Sequence, residues 1–311
     1  MAKKPRRKKK TLEEEIHNVA DRKSPVFSAS YVNDIDGFVG DIPFDTIRDL
    51  IDQGALNAVQ FAIPWDELED TLANGQVGEE IVSSLKQTAD KTSAATNKAV
   101  RDALGVQPTL TFDANNPRVE RFLRKRIGSL VTDISNSGKK SIQDIIVQAS
   151  MQETDPDAII NRIKQSIGIR NDQLRAVANF EEGLRQRGLR EELVKKRSET
   201  FARKQLGQRA DLIARTEMMT AANAGNQLGW EQARDEGLFS NEDLRGVEWV
   251  TSEDELVCPT CRPMNGVIRP LDGTWEVQRR TSNGAITGTV SITIPNQAHP
   301  RCRCTSKLVF K

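Results

Sequence analysis

The stretches Cys258-Pro-Thr-Cys261 and His299-Pro-Arg-Cys302-Arg-Cys304 decide the fold of the C-terminal part of this 311-residue chain, because they hold all four cysteines and one of the two histidines. Two residues separate Cys258 from Cys261, and a tight turn of this length directs both thiolates toward one tetrahedral Zn²⁺. His299 and Cys302 repeat the spacing. We therefore predict a structural zinc bound by Cys258, Cys261, His299 and Cys302, with Cys304 in place of His299 as the alternative.

Other chemistry for the same residues has weaker support in the sequence. Reduced or partly disulfide-bonded cysteines that hold two loops together are the main alternative. A redox Cys-Pro-x-Cys motif needs a helix directly after it, and Pro263, Asn265 and Gly266 interrupt one. A zinc with four protein ligands has no open coordination position for catalysis, and the second histidine, His17, lies far upstream. We therefore expect a protein that is not an enzyme.

The residues around these turns predict a thin C-terminal lobe. Residues 246–311 are expected to form a small α+β or mostly β-rich lobe, with strands at 246–250, 289–294 and 308–310. Its apolar content is too small to hold it together alone. Zinc contributes on the order of 10–16 kcal/mol to the folding of small metal-dependent peptides, which is the scale that such a zinc-stapled lobe needs.

The longest helix is predicted over 206–236, ended by Gly237. Its apolar face includes Glu217, and a buried carboxylate needs a compensating cation, so we predict a buried ion pair with another segment. Small residues from Ala221 to Gly229 would let another backbone approach closely. We expect this face to dock onto a larger assembly.

Most of the remaining chain is predicted to be helical. The fold class is mainly an α-helical bundle with one long helix, plus the C-terminal lobe, because short links between helices favour antiparallel neighbours. Residues 117–245 form the predicted helical domain, and residues 26–116 are an N-terminal region of uncertain fold, partly helical. The predicted helices before the longest one cover 13–20, 45–60, 65–72, 79–104, 118–134, 140–151, 157–167, 172–187 and 189–204, and a short strand covers 109–112.

The N-terminus has a strong local charge. Its basic residues are Lys3, Lys4, Arg6, Arg7, Lys8, Lys9 and Lys10. Without these seven, 38 basic residues remain against 44 acidic ones. Such a cluster cannot be buried, so residues 1–25 are predicted to form a basic disordered arm. The arm is a solubilising tail, a nuclear-localisation signal, or a sequence-blind binder of double-stranded DNA or an acidic protein surface.

The composition also bears on location. The chain has no run of 18 or more apolar residues, which excludes a transmembrane helix. No apolar segment follows the basic N-terminus, as one does in a secretory signal. Cysteines clustered in one region, without such a signal, favour a reducing compartment. We therefore expect no membrane partner.

Several motifs occur together in one order along the C-terminal half. They are Ile213-Ala-Arg-Thr-Glu217, an Ala/Asn/Gly-rich helix through Trp230 and Gly237, Glu248-Trp-Val-Thr251, Cys258-Pro-Thr-Cys261, Asn265-Gly266 and His299-Pro-Arg-Cys-Arg-Cys304. In order and spacing this set resembles the phage head morphogenesis family, the Mu F-like minor head proteins. The resemblance covers roughly residues 110–311, and residues 284–294 look like a hairpin added to the family pattern.

The resemblance implies a minor capsid protein of a tailed phage that is not an enzyme. It implies a place in the virion, in the head interior or at the portal vertex, after assembly in the host cytoplasm. The implied partners are the portal and the major capsid protein, with roles in head morphogenesis and in DNA packaging or ejection. The alternative function is a zinc-containing DNA-binding or DNA-processing factor of viral or mobile-element origin.

Overall fold

The computed structural model describes residues 11–151, 155–252 and 257–311. Within them, eight α-helices are followed by five β-strands. The helices are α1 Leu12–Asp41, α2 Phe44–Asp52, α3 Trp65–Asn74, α4 Gln76–Leu104, α5 Pro117–Met151, α6 Pro156–Ser166, α7 Asn171–Gln186 and α8 Glu191–Asp235. The strands are β1 Leu244–Val250, β2 Ile268–Arg269, β3 Trp275–Arg280, β4 Ile286–Ile292 and β5 Thr305–Phe310. The predicted class, mostly helical with a small C-terminal sheet region, is confirmed.

The chain forms two compact units. The first unit comprises the described residues within Met1–Pro25, Glu80–Leu123 and Leu212–Lys311, and the second comprises those within Val26–Glu79 and Arg124–Asp211. Helices α1, α4, α5 and α8 contribute residues to both units. The division into domains at 1–25, 26–116, 117–245 and 246–311 that the sequence suggested stays a prediction.

In the second unit, a glycine fixes the turn after α6. Gly168 has φ 78°, and a Cβ there would lie 2.9 Å from side-chain atoms of Ile35 and Leu206. Its carbonyl oxygen accepts a 2.9 Å hydrogen bond from the hydroxyl of the buried Tyr31. Glycine is the residue that adopts this left-handed backbone without steric cost and also fits the space.

In the first unit, α4 packs directly on the small-residue face of α8. A Cβ at Gly225 would lie 2.4 Å from the carbonyl oxygen of Leu85, and a Cβ at Gly229 would lie 3.2 Å from Thr92. The hydroxyl of Thr92 donates to the side-chain oxygen of Asn226 at 2.9 Å. The close approach of another backbone is therefore present, but that backbone is α4 of the same chain. The expectation that this face docks onto a larger assembly is wrong.

The strands form two small antiparallel sheets. In the first, β1 lies between β2 and β5, so that Val247 pairs with both Arg269 and Leu308. The second consists of β3 and β4. Trp249 of β1 meets Trp275 of β3 edge to face, with ring centroids 5.3 Å apart. Both sheets therefore contribute to one buried core.

That core extends into the helices of the same unit. Val100 of α4 and Trp230 and Ala233 of α8 are buried in the same cluster as the strands. The lobe predicted at 246–311 therefore shares its core with two helices. This agrees with its small apolar content, because a thin sheet needs a second layer to bury its inner face.

Three helices are longer than predicted. Helix α1 includes the short helix predicted at 13–20 and continues to Asp41. Residues 12–25 bury Ile16 and Val19, so the predicted disordered arm is wrong over this part. The single helix α5 replaces the two helices predicted at 118–134 and 140–151. Within it, Gly138 leaves space for the ring of Trp65, because a Cβ at this position would lie 2.7 Å from the ring. Similarly, α8 joins the helix predicted at 189–204 to the longest one, and it has 45 residues.

Residues 109–112 do not form the predicted strand. The side chain of Asn97 in α4 instead bonds both backbone groups of Leu110, accepting from its N–H at 2.9 Å and donating to its carbonyl oxygen at 3.0 Å. A side chain thus supplies the bonds that a neighbouring strand would have made.

No helix of the described residues has both the length and the apolar character that crossing a bilayer requires.

The contact of α4 with α8 can be tested by two matched substitutions in α8. Gly225→Ala is expected to lower the free energy of unfolding by about 1–3 kcal/mol, because its methyl group would overlap the carbonyl oxygen of Leu85. Gly207→Ala is the control, since nothing lies within 4 Å of its Cβ position. It should raise stability by roughly 0.5–1 kcal/mol through helix propensity alone. Differential scanning calorimetry would compare the two, and equal effects would contradict the packing.

Candidate metal centre

The first ligand-bearing turn contains Cys258 and Cys261. The carbonyl oxygen of Cys258 accepts hydrogen bonds from the amides of Cys261 at 3.1 Å and Arg262 at 3.0 Å. The amide of Cys261 also points at the sulfur of Cys258, 3.4 Å away. A single 3₁₀ turn, Arg262–Met264, follows. The expected absence of an α-helix after the motif agrees with this geometry, and both thiols extend from one tight turn.

The second turn runs from His299 to Cys302. Arg301 has φ 59°, a left-handed conformation that costs a residue with a Cβ roughly 1–2 kcal/mol. Its amide donates to the hydroxyl of Thr216 in α8 at 3.2 Å. The hydrogen bond from α8 thus helps to hold a turn that its own backbone preference disfavours.

The two turns converge, although 38 residues separate Cys261 from His299. The Nε2 atom of His299 lies 3.1 Å from the sulfurs of both Cys258 and Cys261. The sulfurs of Cys261 and Cys302 are 3.7 Å apart. The donor atoms of Cys258, Cys261 and His299 lie within 4.8 Å of one another, and so do those of Cys261, Cys302 and Cys304. This cluster of five donors can hold a metal ion.

The spacing of the donors suits a tetrahedral ion. Zinc–sulfur bonds of about 2.3 Å place two thiolates of one tetrahedron about 3.8 Å apart, close to the distance between Cys261 and Cys302. A disulfide would bring these sulfurs to about 2.05 Å, and all four cysteines are free thiols. Three of them are buried and Cys258 is half-buried. Sulfur and imidazole nitrogen donors bind zinc in preference to magnesium or calcium, which favour oxygen donors.

The protonation of the cluster also favours a cation. The hydrogen bond with Cys261, followed by the neighbouring His299, lowers the pKa of the Cys258 thiol to about 4. The hydrogen bond with Cys258 raises the pKa of His299 to about 10. Hydrogen bonds to Cys258 and then to Cys302 raise the pKa of Cys261, which keeps a proton between its neighbours. Closely packed thiols cannot all ionise unless a positive charge compensates them, and a divalent ion supplies it.

The ring of His299 is oriented for ligation. Its Nδ1 atom lies 2.8 Å from the carbonyl oxygen of Pro300. A carbonyl oxygen only accepts, so Nδ1 carries the proton and donates it. Nε2, the atom that faces the cysteines, is then the nitrogen that can bind a metal once it is deprotonated. Metal-bound histidines are commonly held in place by this type of backbone hydrogen bond.

Helix α8 presents a polar stripe to the lobe. The stripe consists of Thr216, Thr220, Asn223, Asn226 and Gln227. Asn223 donates to the carbonyl oxygen of Cys304 at 3.1 Å, and Asn226 donates to that of Ser306 at 2.9 Å. Thr220 accepts from the side chain of Asn296 at 2.6 Å. The helix therefore anchors the chain on both sides of the second turn.

These anchoring residues were missed in the sequence, although they left a signal. Thr216, Thr220, Asn223 and Gln227 recur at helical spacing beside the apolar face. His17 of α1 left no signal at all. Its Nε2 atom donates to the carbonyl oxygen of Arg303, 286 residues away, between two of the candidate ligands.

A family model described as "Phage Mu protein F like protein" matches residues 140–307, which is 168 of the 311 residues. The chain belongs to the phage Mu F-like family. The resemblance predicted from the motifs is thereby confirmed. No curated protein and no solved structure matches the chain.

The match of this Mu F-like chain includes α6, α7, α8 and both ligand-bearing turns. The glutamate on the apolar face of α8, Glu217, is buried with 4% of its surface exposed, and its pairing with a cation stays a prediction. The basic arm from Lys3 to Lys10 lies outside the described residues. The choice of ligands among the five donors also stays a prediction.

Metal analysis of the purified Mu F-like protein should find about one zinc per chain. Cys261→Ser removes the donor common to both groups, so it should abolish binding and lower the unfolding temperature by roughly 10 °C or more. His299→Ala should also lose the metal, because Nε2 faces Cys258 and Cys261.

Cys304→Ser is the matched control, and it should retain the metal. Inductively coupled plasma mass spectrometry and calorimetry would measure both quantities. Metal loss in Cys304→Ser but not in His299→Ala would show that Cys304, and not His299, is the fourth ligand. A folded, metal-free protein with four intact thiols would exclude the metal centre.

Proposed function

We propose that this chain is a minor head protein of a tailed phage that acts in head morphogenesis without being an enzyme. The observation that carries the proposal is the Mu F-like family match over residues 140–307, which contains α8 and the thiol cluster. The portal and the inner surface of the capsid are the proposed partners. The virion is the proposed location, after assembly in the host cytoplasm.

The cluster has a structural role in this proposal. Cys258, Cys261, His299 and Cys302 would hold one Zn²⁺, which when bound neutralises the thiolates and joins the two turns. Four protein ligands leave no coordination position for a substrate, which supports a role outside catalysis. The Nδ1–H bond to Pro300 fixes the histidine ring, and the turn at Arg301 rests on Thr216.

This arrangement suits a protein that must keep one shape against a large partner. The lobe shares its core with α4 and α8, Asn223 bonds the residue before its last strand, and Asn226 bonds the strand itself. Ordering a flexible lobe on binding would subtract from the affinity, so a lobe that is already fixed retains more of the contact energy.

The assembly role can be tested with head particles of the same phage. Wild-type protein is expected to sediment with portal-containing particles in a density gradient. Cys261→Ser should be lost from them, because its lobe is no longer fixed, whereas the control Gly207→Ala, which leaves the cluster intact, should remain. Wild-type protein that stays at the top of the gradient, but cuts or tightly binds free DNA, would favour the alternative DNA-processing function.

The basic arm is proposed to contact packaged DNA. Replacing its seven lysines and arginines by glutamine keeps the chain length and removes the charge. If all seven contact phosphates, the slope of log K against log salt is about −6 for the wild type and should approach zero for the variant. Filter binding to duplex DNA at several salt concentrations would measure both slopes. Equal slopes for the two proteins would show that the arm does not bind DNA, and they would leave the proposed role in head assembly unaffected.

A further inference from the structure

The hairpin of β3 and β4 extends beyond the core of the lobe. Trp275 and Val277 at the start of β3 are buried, and so is Ile292 at the end of β4. Residues 286–289 are exposed on both faces of the ribbon, and Ile286 exposes 54% of its surface. A ribbon of two strands is marginally stable in water without a further strand or layer.

The other strand edges in the lobe are short, covered or charged. Strand β2 has two residues, and the carbonyl oxygens of Cys304 and Ser306 beside and within β5 are bonded by the amides of α8. On β3, the hydroxyl of Thr260 accepts from the amide of Arg280 at 2.9 Å and donates to its carbonyl oxygen at 3.4 Å. Strand β3 also carries Glu276, Arg279 and Arg280. These are the usual ways in which proteins prevent edge-to-edge pairing.

Strand β4 has seven residues and no charge, and its regular part, residues 288–292, follows a bulge at Thr287. Among the described residues, β3 is the only strand that pairs with it. Residues 281–300 contain no aspartate, glutamate, lysine or arginine, and β4 itself contains no proline. Its sequence, Ile286-Thr-Gly-Thr-Val-Ser-Ile292, is rich in β-branched residues, which favour strands. An exposed, uncharged edge of this kind is a template for another strand.

We propose that β4 pairs antiparallel with β4 of a second copy of this chain, which creates a four-stranded sheet across a two-fold axis. An antiparallel pair of identical strands is self-complementary, so each copy offers the surface that the other needs. No like charges face each other in any register, because the whole segment is uncharged. Pairing near the middle of the strand also covers the exposed Ile286.

The contact is small, which sets its strength. One strand pair buries less than the roughly 1,200 Å² found in stable complexes. The dimer is therefore weak in dilute solution. It forms where copies are concentrated, for instance side by side on a larger particle, because tethering raises their effective concentration.

Sedimentation velocity on the full-length protein, over roughly three decades of concentration, tests the pairing. The wild type should shift reversibly from monomer to dimer. Thr289→Lys places like charges across the two-fold axis and should weaken dimerisation at least about tenfold. Gln278→Lys is the matched control, because Gln278 is the cross-strand partner of Thr289 on the same exposed face. It should change dimerisation less than about twofold.

A mixture of Thr289→Lys with Thr289→Glu should restore dimers, because opposite charges then face each other. Circular dichroism checks that all three variants are folded. A wild type that remains monomeric at every concentration overturns the proposal. So does a dimer that is unaffected by Thr289→Lys, or one that is weakened equally by Gln278→Lys.

Discussion

The amides of Asn223 and Asn226 bond the carbonyl oxygens of Cys304 and Ser306, and these two bonds tie the lobe to the longest helix. They lie directly after the second ligand-bearing turn, so they fix the position of His299 and Cys302 relative to α8. The first turn then has to bring only Cys258 and Cys261 to that position. Both amides are fully buried, which makes each bond costly to lose, since an unpaired amide would keep its full desolvation penalty.

The approach of α4 to α8 depends on a different constraint, the absence of a side chain at Gly225. The carbonyl oxygen of Leu85 occupies the space where a Cβ would be. Thr92 then reaches Asn226, and Asn226 reaches β5. The helix pair and the sheet are thereby parts of one continuous contact, and the thiol cluster stands at its end.

The sequence predicted the cluster better than it predicted the helices. Ligand spacing is a local property, so Cys258, Cys261, His299 and Cys302 were identifiable even though the two turns are far apart in the chain. Zinc itself and the choice between His299 and Cys304 stay proposals. The polar stripe of α8 recurs at helical spacing, but its contacts were not predictable, because nothing in the local sequence connects Asn223 or His17 to residues that are 80 or more positions away.

Helix bounds failed where tertiary contacts outweigh local preference. Two separate helices were predicted on either side of 134–140, yet α5 continues through this segment, where Gly138 packs against the ring of Trp65. The helix predicted at 79–104 is present as α4, but its partners were obscure because it buries hydroxyl residues such as Ser84, Thr88 and Thr92 beside Ile81 and Leu85. Disorder over 1–25 was predicted from the basic residues at 3–10, but the described part of this segment is helical and buries Ile16 and Val19.

The polar character of the stripe on α8 has a thermodynamic consequence. Exposing apolar surface raises the heat capacity of a protein, whereas exposing polar surface lowers it. Hydroxyls and amides of α8 bind the second turn, so parting that turn alone from the helix would involve a small change in heat capacity. Its attachment would then vary little in strength between a cold and a warm host, whereas the apolar contacts of Trp230 and Ala233 with the lobe would weaken on cooling.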